Sequence, residues 1–530
     1  MSNILDDNEV QKDDFLDNQS YAFGHPKGLL YLFFAELWER FSFYGMRALL
    51  TLYMVQALYQ DMADGETKSL GIYAAYGALV YATPLIGGMI ADKLIGYRKS
   101  VMLGAVLMAI GHFVMAIEDE IFFFMALGLL IVGNGFFKPN ISSLVGTLYR
   151  EGDPKRDAGF TLFYMGINIG AWLSPLVCGW LGAEYGWHYG FGAAGIGMMV
   201  GLIVFWQGGN AGVFGDRGLQ PVEYKEKKIA GANVFTWVTV AAFLLVPIFS
   251  AMVFYNEMIM GNLLTVILIV VLGYIGYLFT IVSKKEREQI TVIILLTFFL
   301  TVFWSFFEQA GSSLTLFAER NVNLSFLNAA QTNAINPGFI ILLAVPFSLM
   351  WVALSERGTN PRTPYKSALG IALLGLGFLI FAYSANFMDG AGRVPMLFLI
   401  VGWFFITTGE LFISPIGLSK TTELAPKHMV AFFMGVFFLS SAFAHFIAGA
   451  IAKLTVPSEG GSAVPDWLAG FTEAVTGFAG GNAPEGASEA VQGLATYASV
   501  FTMIGVIAFA CTILALLLSP IIKKWMHGVH

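Results

Sequence analysis

The sequence contains little charge and few cysteines. Only 12% of its 530 residues are Asp, Glu, Lys or Arg, whereas 57% are hydrophobic and the mean hydropathy is +0.69. Soluble globular proteins carry about 25% charged residues, so this composition excludes that class. The two cysteines, Cys178 and Cys511, lie in separate apolar stretches, which predicts buried free thiols rather than a disulfide or a metal site.

Features of several functional classes are also missing. The net charge is -7 and no long basic run occurs, so no nucleic-acid partner is expected. No catalytic nucleophile, metal cluster or phosphate-binding loop is recognisable, so neither catalysis nor a metal or cofactor is expected. Residues 1–24 are polar and acid-rich, unlike a secretory signal, and are predicted to form a cytoplasmic tail.

What the sequence does contain is a series of long apolar windows. Windows of about 20 residues predict fourteen transmembrane helices in the order six, two and six. The predicted spans are 29–58, 70–91, 100–117, 121–148, 158–182, 187–207, 232–254, 261–282, 290–318, 330–354, 366–386, 394–419, 429–454 and 493–520. This pattern predicts an all-α membrane protein with two six-helix bundles at 25–210 and 289–522. Residues 211–288 would form a linker with a two-helix hairpin, and 523–530 a carboxyl-terminal tail.

The distribution of basic residues predicts the orientation. Of the 29 lysines and arginines, 22 fall in the segments that are cytoplasmic if the amino terminus is inside, and 4 fall in the outer segments. Cytoplasmic loops carry such an excess, so both termini are predicted to be cytoplasmic. The Gly-rich segment 456–490 is interpreted as a variable periplasmic loop. An interfacial helix around Trp467 is the alternative.

The first predicted span carries four charged residues, Glu36, Glu39, Arg40 and Arg47. A charge at bilayer depth costs at least about 2.5 kcal/mol on insertion scales, so it must face a partner or a water-filled cavity. At about 100° per residue, Glu36, Arg40 and Arg47 share one helix face, and Tyr44 lies on its flank. This helix is therefore predicted to present a polar stripe to the interior.

Further charges occur in equivalent spans of both predicted bundles: Lys138 in the fourth span, and Glu308 and Glu410 in the first and fourth spans after the hairpin. This placement favours two related halves around a central site over isolated ion pairs that clamp helices. The intramembrane set has four acids and three bases. A cavity that excludes bulk water resists such an excess, so one carboxylate is expected to take up a proton readily. Glu36, Glu39, Glu308 and Glu410 all qualify.

Three local motifs add candidate cavity residues. Lys138 precedes Pro139, a helix breaker whose missing N–H is expected to leave a carbonyl free to line a cavity. Asn168 in Phe163-Tyr-Met-Gly-Ile-Asn-Ile-Gly170 and Asn336 before Pro337 lie beside residues that allow close backbone approach. Each asparagine is either a helix-to-helix hydrogen bond or a ligand contact, and both interpretations stay open.

These motifs resemble a known family. Glu36-Leu-Trp-Glu-Arg-Phe-Ser-Phe-Tyr-Gly45, together with the Lys138 and Asn168 motifs, is similar to the proton-coupled oligopeptide transporter (POT, or PTR) family of the major facilitator superfamily. The hairpin between the two bundles is similar to that of bacterial members. The resemblance implies import of di- and tripeptides with protons by alternating access, in a bacterial inner membrane. The protein is expected to be a monomer in contact with membrane lipid.

Carried over by position, the resemblance also implies a set of peptide-binding residues. Arg40 and Lys138 would hold the peptide carboxylate, and Asn168, Asn336 and Glu410 the backbone and amino end. The side-chain pockets would be formed by Tyr44, Tyr81, Trp304 and Phe437 or Phe438, with Ser414 as a further candidate.

For gating and proton coupling, the resemblance implies three ionic groups. Arg47 and Glu308 would form an outer salt bridge, Lys138 and Glu410 an alternate pair, and Glu36 and Glu39 with Arg40 the coupling group. The sequence departs from the family pattern in several places. Phe43 replaces a frequent tyrosine, Ala171-Trp172 replaces Ser-Leu, and no tryptophan lies near Phe437.

Histidines are not expected to take part in coupling, because predicted span 2 contains none. His112 and His445 are interpreted as packing or surface-cavity residues. Two alternative functions stay open: a related carrier for nitrate, amino acids or a drug, and a channel or non-transporting receptor. The charges in both halves disfavour the second.

Overall fold

The structure, a computed structural model, describes residues 13–414, 416–457 and 465–528. Within these residues, fourteen α-helices have 18 residues or more. They are α1 Lys27–Tyr53, α2 Gly65–Ile90, α3 Gly96–Met115, α4 Glu120–Gly146, α5 Lys155–Tyr185, α6 Trp187–Asn210, α7 Val234–Phe254, α8 Asn256–Ile281, α9 Lys284–Phe307, α10 Ile335–Glu356, α11 Thr363–Tyr383, α12 Met396–Ile413, α13 Val430–Lys453 and α14 Glu489–Trp525. The strands described are three short pairs: Tyr21–Ala22 with His25–Pro26, Lys228–Ile229 with Ala232–Asn233, and Val322–Asn323 with Val394–Pro395.

The helices are those of a multi-pass membrane protein. Twelve helical stretches in the described ranges are long and apolar enough to cross a membrane. One of them, Gly65–Met115, includes both α2 and α3. Helix α1 is not among the twelve, and it contains five charged side chains that make it less apolar. The predicted all-α membrane fold is confirmed, while the number of membrane crossings stays a prediction.

Several predicted spans are wrong in detail. Span 290–318 was expected to be continuous, but α9 ends at Phe307 and is followed by a 3-10 turn, Glu308–Gly311, and a helix, Ser313–Asn321. Ser312 has φ -126° and ψ -103°, which is incompatible with a regular helix. This break places the Glu308 carboxylate at a bend in the chain.

Other helix boundaries also differ from the predicted ones. Residues Ala330–Ala334 form a 3-10 turn before α10, and the predicted span 394–419 is divided into α12 and the helix Ile416–Leu424. Helix α14 extends to Trp525, so the predicted tail begins within a helix. Pro139 does not break α4, which continues to Gly146.

In segment 456–490, the described part contains the helix Asp466–Thr476. The structure thus has a helix where the alternative interpretation expected one. The predicted amino-terminal tail contains a short helix, Asp14–Asn18, and its residues 1–12 lie outside the described residues.

Helices α1–α6, called here the amino-terminal half, pack mainly on one another, and so do α9–α14, the carboxy-terminal half. Between the halves, α2 packs on α13, and α5 packs on α10 and the preceding 3-10 turn. Helix α7 of the hairpin packs on α4, where Ala242 and Val246 contact an apolar cluster with Leu129 and Val132. The interface between the halves is where the candidate site lies.

Close helix packing in the amino-terminal half depends on glycine. At the crossing of α3 and α4, a Cβ atom on Gly133 would lie 2.6 Å from Cγ of Met108 and 2.9 Å from the carbonyl oxygen of Gly104. Both distances are too short for a carbon contact. Glycine therefore allows the two buried backbones to approach each other closely.

We predict that Gly133→Val destabilises the protein, because overpacking a tight contact costs about 1–3 kcal/mol. Thermal unfolding in detergent should show a melting temperature several degrees below that of the wild type. Gly273→Val in α8 is the matched control, because a Cβ atom on Gly273 would meet no other atom of the described residues within 4 Å. Equal melting temperatures for the two variants would contradict this packing argument.

Candidate functional site

Two adjacent cavities lie between the halves. The first has a volume of about 260 Å³ and the second of about 570 Å³. They are neighbours, since Tyr81, Trp304, Glu308 and Ser414 line both. Of the predicted site residues, the first cavity also contains Tyr44, Arg47, Asn168, Asn336 and Glu410, and the second contains Lys138, Phe437 and Phe438.

Arg40 and its two acids line neither of these two cavities. The Arg40 Nη2 donates to Glu39 Oε1 at 2.7 Å, its Nε donates to the other Glu39 oxygen, and Nε lies 3.2 Å from Glu36 Oε1. All three side chains are at most 3% exposed. In this arrangement the Arg40 guanidinium contacts carboxylates of its own helix through Nε and Nη2. Its contact with a peptide carboxylate stays a prediction.

The same cluster has more negative than positive charge. One guanidinium faces two carboxylates, and Glu36 Oε2 is buried without a hydrogen-bond partner among the described residues. A buried polar oxygen without a partner is costly, and more so when it carries charge. Adding one proton or one nearby cation would remove this excess.

Arg47 joins the two halves. Its Nη2 donates to Glu308 Oε2, and its Nε donates to the Tyr73 hydroxyl at 2.6 Å. One turn further along α1, the Thr51 hydroxyl donates to the Gly311 carbonyl at 2.6 Å. Arg47 and Glu308, the pair that the resemblance implies, are thus in contact, and the bend after α9 places the acid against α1.

Lys138 and Glu410 are not in contact in this structure. Lys138 Nζ lies 4.1 Å from the centroid of the Tyr81 ring, in the wall of the second cavity. Glu410 accepts a hydrogen bond from Asn336 Nδ2 at 2.8 Å, and the same amide lies 3.0 Å from the Thr407 hydroxyl. The expected Lys138–Glu410 pair is therefore not formed here, and the two groups lie on different walls.

The remaining predicted residues form cavity walls. Asn168 donates to the Tyr164 carbonyl of its own helix at 3.0 Å and lines the first cavity. Phe437 and Phe438 lie in the second cavity, with ring centroids 5.6 Å apart. Apolar aromatic surfaces of this kind accept many shapes of ligand side chain.

The cavity walls also contain residues outside the predicted set, and four of them carry large polar or aromatic side chains: Tyr164, Asn333, Trp403 and His445. Helical spacing was a usable signal for all four. Tyr164 is four residues before Asn168 and Trp403 is seven before Glu410, so each shares a helix face with a predicted site residue. By the same rule, Asn333 is three residues before Asn336 and His445 is seven after Phe438.

Polar contacts close the end of the interface that is predicted to face outside. Arg320 Nη1 lies 3.0 and 2.9 Å from the two carboxylate oxygens of Glu66, which belongs to the other half. The amides of Asn328 and Gln331 donate to carbonyls of α5, those of Gly179 and Leu176, each at 3.0 Å. The two halves are thus held together at this end.

Comparison with known proteins identifies the family. The chain matches the POT family (PTR2) over residues 98–467. This chain belongs to the POT family. It is 37% identical to the peptide transporter YePEPT of Yersinia enterocolitica, over 81% of this chain and 88% of that protein. It is 35% identical to the di-/tripeptide transporter of Lactococcus lactis, over 82% of this chain and 90% of that protein.

Solved structures of POT transporters agree with the fold. A crystal structure of a mutant POT peptide transporter in complex with alafosfalin is 34% identical, with a TM-score of 0.78, covering 96% of this chain and 98% of that chain. A POT family transporter in complex with 5-aminolevulinic acid is 30% identical, with a TM-score of 0.74, covering 95% and 98%. The predicted family and the major facilitator fold are therefore confirmed.

In this POT family member, we predict that Glu66→Gln opens the closed end. A partly exposed ion pair contributes about 0.2–1 kcal/mol. Its loss should therefore raise the fraction of molecules in which the halves are separated at this end by up to about fivefold. Spin labels at the exposed residues Asp61 and Ser325, one in each half, would report this as longer distances.

The control for this experiment is Glu120→Gln. This substitution removes the 3.5 Å pair with Lys68, and both of these residues belong to the amino-terminal half. The control should leave the distance distribution unchanged. If Glu66→Gln also leaves it unchanged, the Glu66–Arg320 pair does not hold the halves together.

Proposed function

We propose that this POT family member imports di- and tripeptides together with protons across a bacterial inner membrane. The two six-helix units, residues 25–210 and 289–522, would alternate access to the site between them, with both termini cytoplasmic. The protein would act as a monomer, without a metal or cofactor. The chemistry of the cavity walls supports this proposal.

The observation that carries the proposal is the separation of charge across the cavities. Lys138 contributes a cation from α4, whereas Glu410 contributes a carboxylate from α12, held by Asn336. A short peptide is a zwitterion, so its two ends need opposite charges on separate walls. The aromatic surfaces between them suit variable side chains. A ligand that contacts both charges would draw the two halves together.

Relatives support the substrate class. The proteins of Yersinia enterocolitica and Lactococcus lactis are named as peptide and di-/tripeptide transporters. A smaller zwitterion, such as an amino-acid-like compound, is a second candidate substrate. The POT family structure in complex with 5-aminolevulinic acid favours this candidate.

For proton coupling, we infer a role for the cluster on α1. A proton on Glu36 would neutralise the surplus carboxylate beside Arg40. Arg40 would then need only one acid as its partner, and its remaining donors would be available for a ligand carboxylate near Lys138. In this way proton uptake and peptide binding would favour each other.

We predict that Lys138→Gln weakens peptide binding by about tenfold or more, because a hydrogen bond to a charged group contributes about 1.5–3 kcal/mol. Counterflow of labelled dialanine in proteoliposomes gives the affinity. Dialanine amide, which lacks the carboxylate, should compete equally well in the variant and the wild type.

Lys285→Gln is a suitable control, since this lysine is exposed at the start of α9. Unchanged dialanine affinity in Lys138→Gln would remove Lys138 from carboxylate binding. An equal loss for dialanine and for its amide would point to a general disturbance of the cavity instead.

We predict that Glu36→Gln retains dialanine exchange but loses accumulation driven by an inward proton gradient, because the amide imitates a permanently protonated acid. Uptake with and without the gradient separates the two activities. Glu257→Gln, which removes an exposed partner of Lys453, should behave as wild type. Normal accumulation in Glu36→Gln would leave Glu39, Glu308 and Glu410 as candidates for the coupling acid.

A further inference from the structure

His445 in α13 lies next to the ion pair that joins the halves. Its Nδ1 is 3.7 Å from Glu308 Oε2, and the side chain is only 5% exposed. Nδ1 has no hydrogen-bond partner among the described residues. A distance of 3.7 Å is too long for a hydrogen bond but short enough for an ion pair once the imidazole is charged.

Polar groups from three helices and from the turn after α9 surround this ring. The Tyr81 ring lies 4.8 Å from the imidazole centroid, and a Cβ atom on Gly77 would lie 2.5 Å from Nδ1. The charged groups that act on His445 are Glu308 after α9, Arg47 from α1 and Lys138 from α4, and Tyr81 adds a phenol from α2. Glu308 is the only anion in this set.

His445 and Glu308 belong to the same half, whereas Arg47 belongs to the other. A hydrogen bond from Gln309 Nε2 to the Ala448 carbonyl, 2.9 Å long, ties the Glu308 turn to α13. His445 therefore stays beside Glu308 when the halves move apart, and Arg47 does not. A separated Glu308 carboxylate would be left without its cation in a buried site, which is strongly unfavourable.

We propose that His445 is a second proton-accepting group of this pair and becomes the partner of Glu308 when Arg47 withdraws. One proton from water on the outer side would bind the Nδ1 lone pair, and the resulting N–H would donate to Glu308 Oε2. The proton would later leave to water in the second cavity, which His445 also lines. No other bond is made or broken. This role rests on the proposed proton-coupled function and differs from the packing or surface-cavity role expected from the sequence.

The two groups would then titrate as one unit, so the opening of the outer end should depend on pH through both. Spin labels at Asp61 and Ser325 report that opening without any substrate. In the wild type, acidification should increase the longer distances. In His445→Asn, the amide takes the position of Nδ1 but cannot bind a proton. The pH at which half of the molecules show the longer distances should therefore fall by about one pH unit.

His112→Asn is the matched control. His112 is likewise buried, at 1% exposure, with an Nδ1 that has no partner among the described residues, but it lies in α3 away from both cavities. The pH midpoint of opening in His112→Asn should equal that of the wild type. An unshifted midpoint in His445→Asn would overturn the proposal, and His445→Gln provides the same comparison if the asparagine variant does not fold.

A second background tests whether the two groups act together. In the Glu308→Gln background, the substitution His445→Asn should cause no further shift of the pH midpoint. An additional shift of the same size would overturn the joint role of the two groups. Absence of counterflow in the wild type would reject the peptide-transport proposal, whereas the distance measurements decide on His445 independently.

Discussion

The ion pair between Arg47 and Glu308 is the interaction on which the arrangement of the two halves depends. Both side chains are nearly fully buried, and they come from opposite halves of the molecule. Breaking a buried pair by removing one partner costs about 3–5 kcal/mol, because an uncompensated charge remains. The halves therefore cannot separate at this end unless another group compensates each charge.

This constraint explains several neighbouring features. The turn after α9 interrupts the helix, so that Glu308 faces α1 and the Gly311 carbonyl accepts a hydrogen bond from Thr51. The Tyr73 hydroxyl supplies a second partner for Arg47 from within the amino-terminal half. Arg47 thus keeps one polar contact whichever way the halves move, while Glu308 keeps only the neighbours of its own half.

Some of this organisation could be predicted from the sequence, for reasons that are physical. Charged residues in apolar windows are rare and expensive, so Glu36, Arg40, Arg47 and Glu308 identified the interior. The contact between Arg47 and Glu308 followed from the family resemblance alone.

Other features depend on tertiary structure and could not be predicted in the same way. The absence of a contact between Lys138 and Glu410 depends on how far apart the cavity walls lie, which helical periodicity does not report. Pro139 stays within α4 because neighbouring helices stabilise a backbone that lacks one donor. His445 was interpreted as a packing or surface-cavity residue, because its relation to Glu308 arises only when α13 packs beside the turn after α9.

The two clusters of buried charge differ in a way that bears on coupling. Glu36, Glu39 and Arg40 all belong to α1, so relative motion of the halves does not change the distances among them. Arg47 and Glu308 belong to different halves, so the same motion separates them. The cluster of Glu36, Glu39 and Arg40 can therefore respond to the transport cycle only through neighbouring residues. Lys138 is such a neighbour, because its charge acts on both Glu36 and Glu39. A ligand carboxylate that neutralises Lys138 would remove a cation from the surroundings of Glu36 and Glu39, which makes a proton at that cluster more favourable.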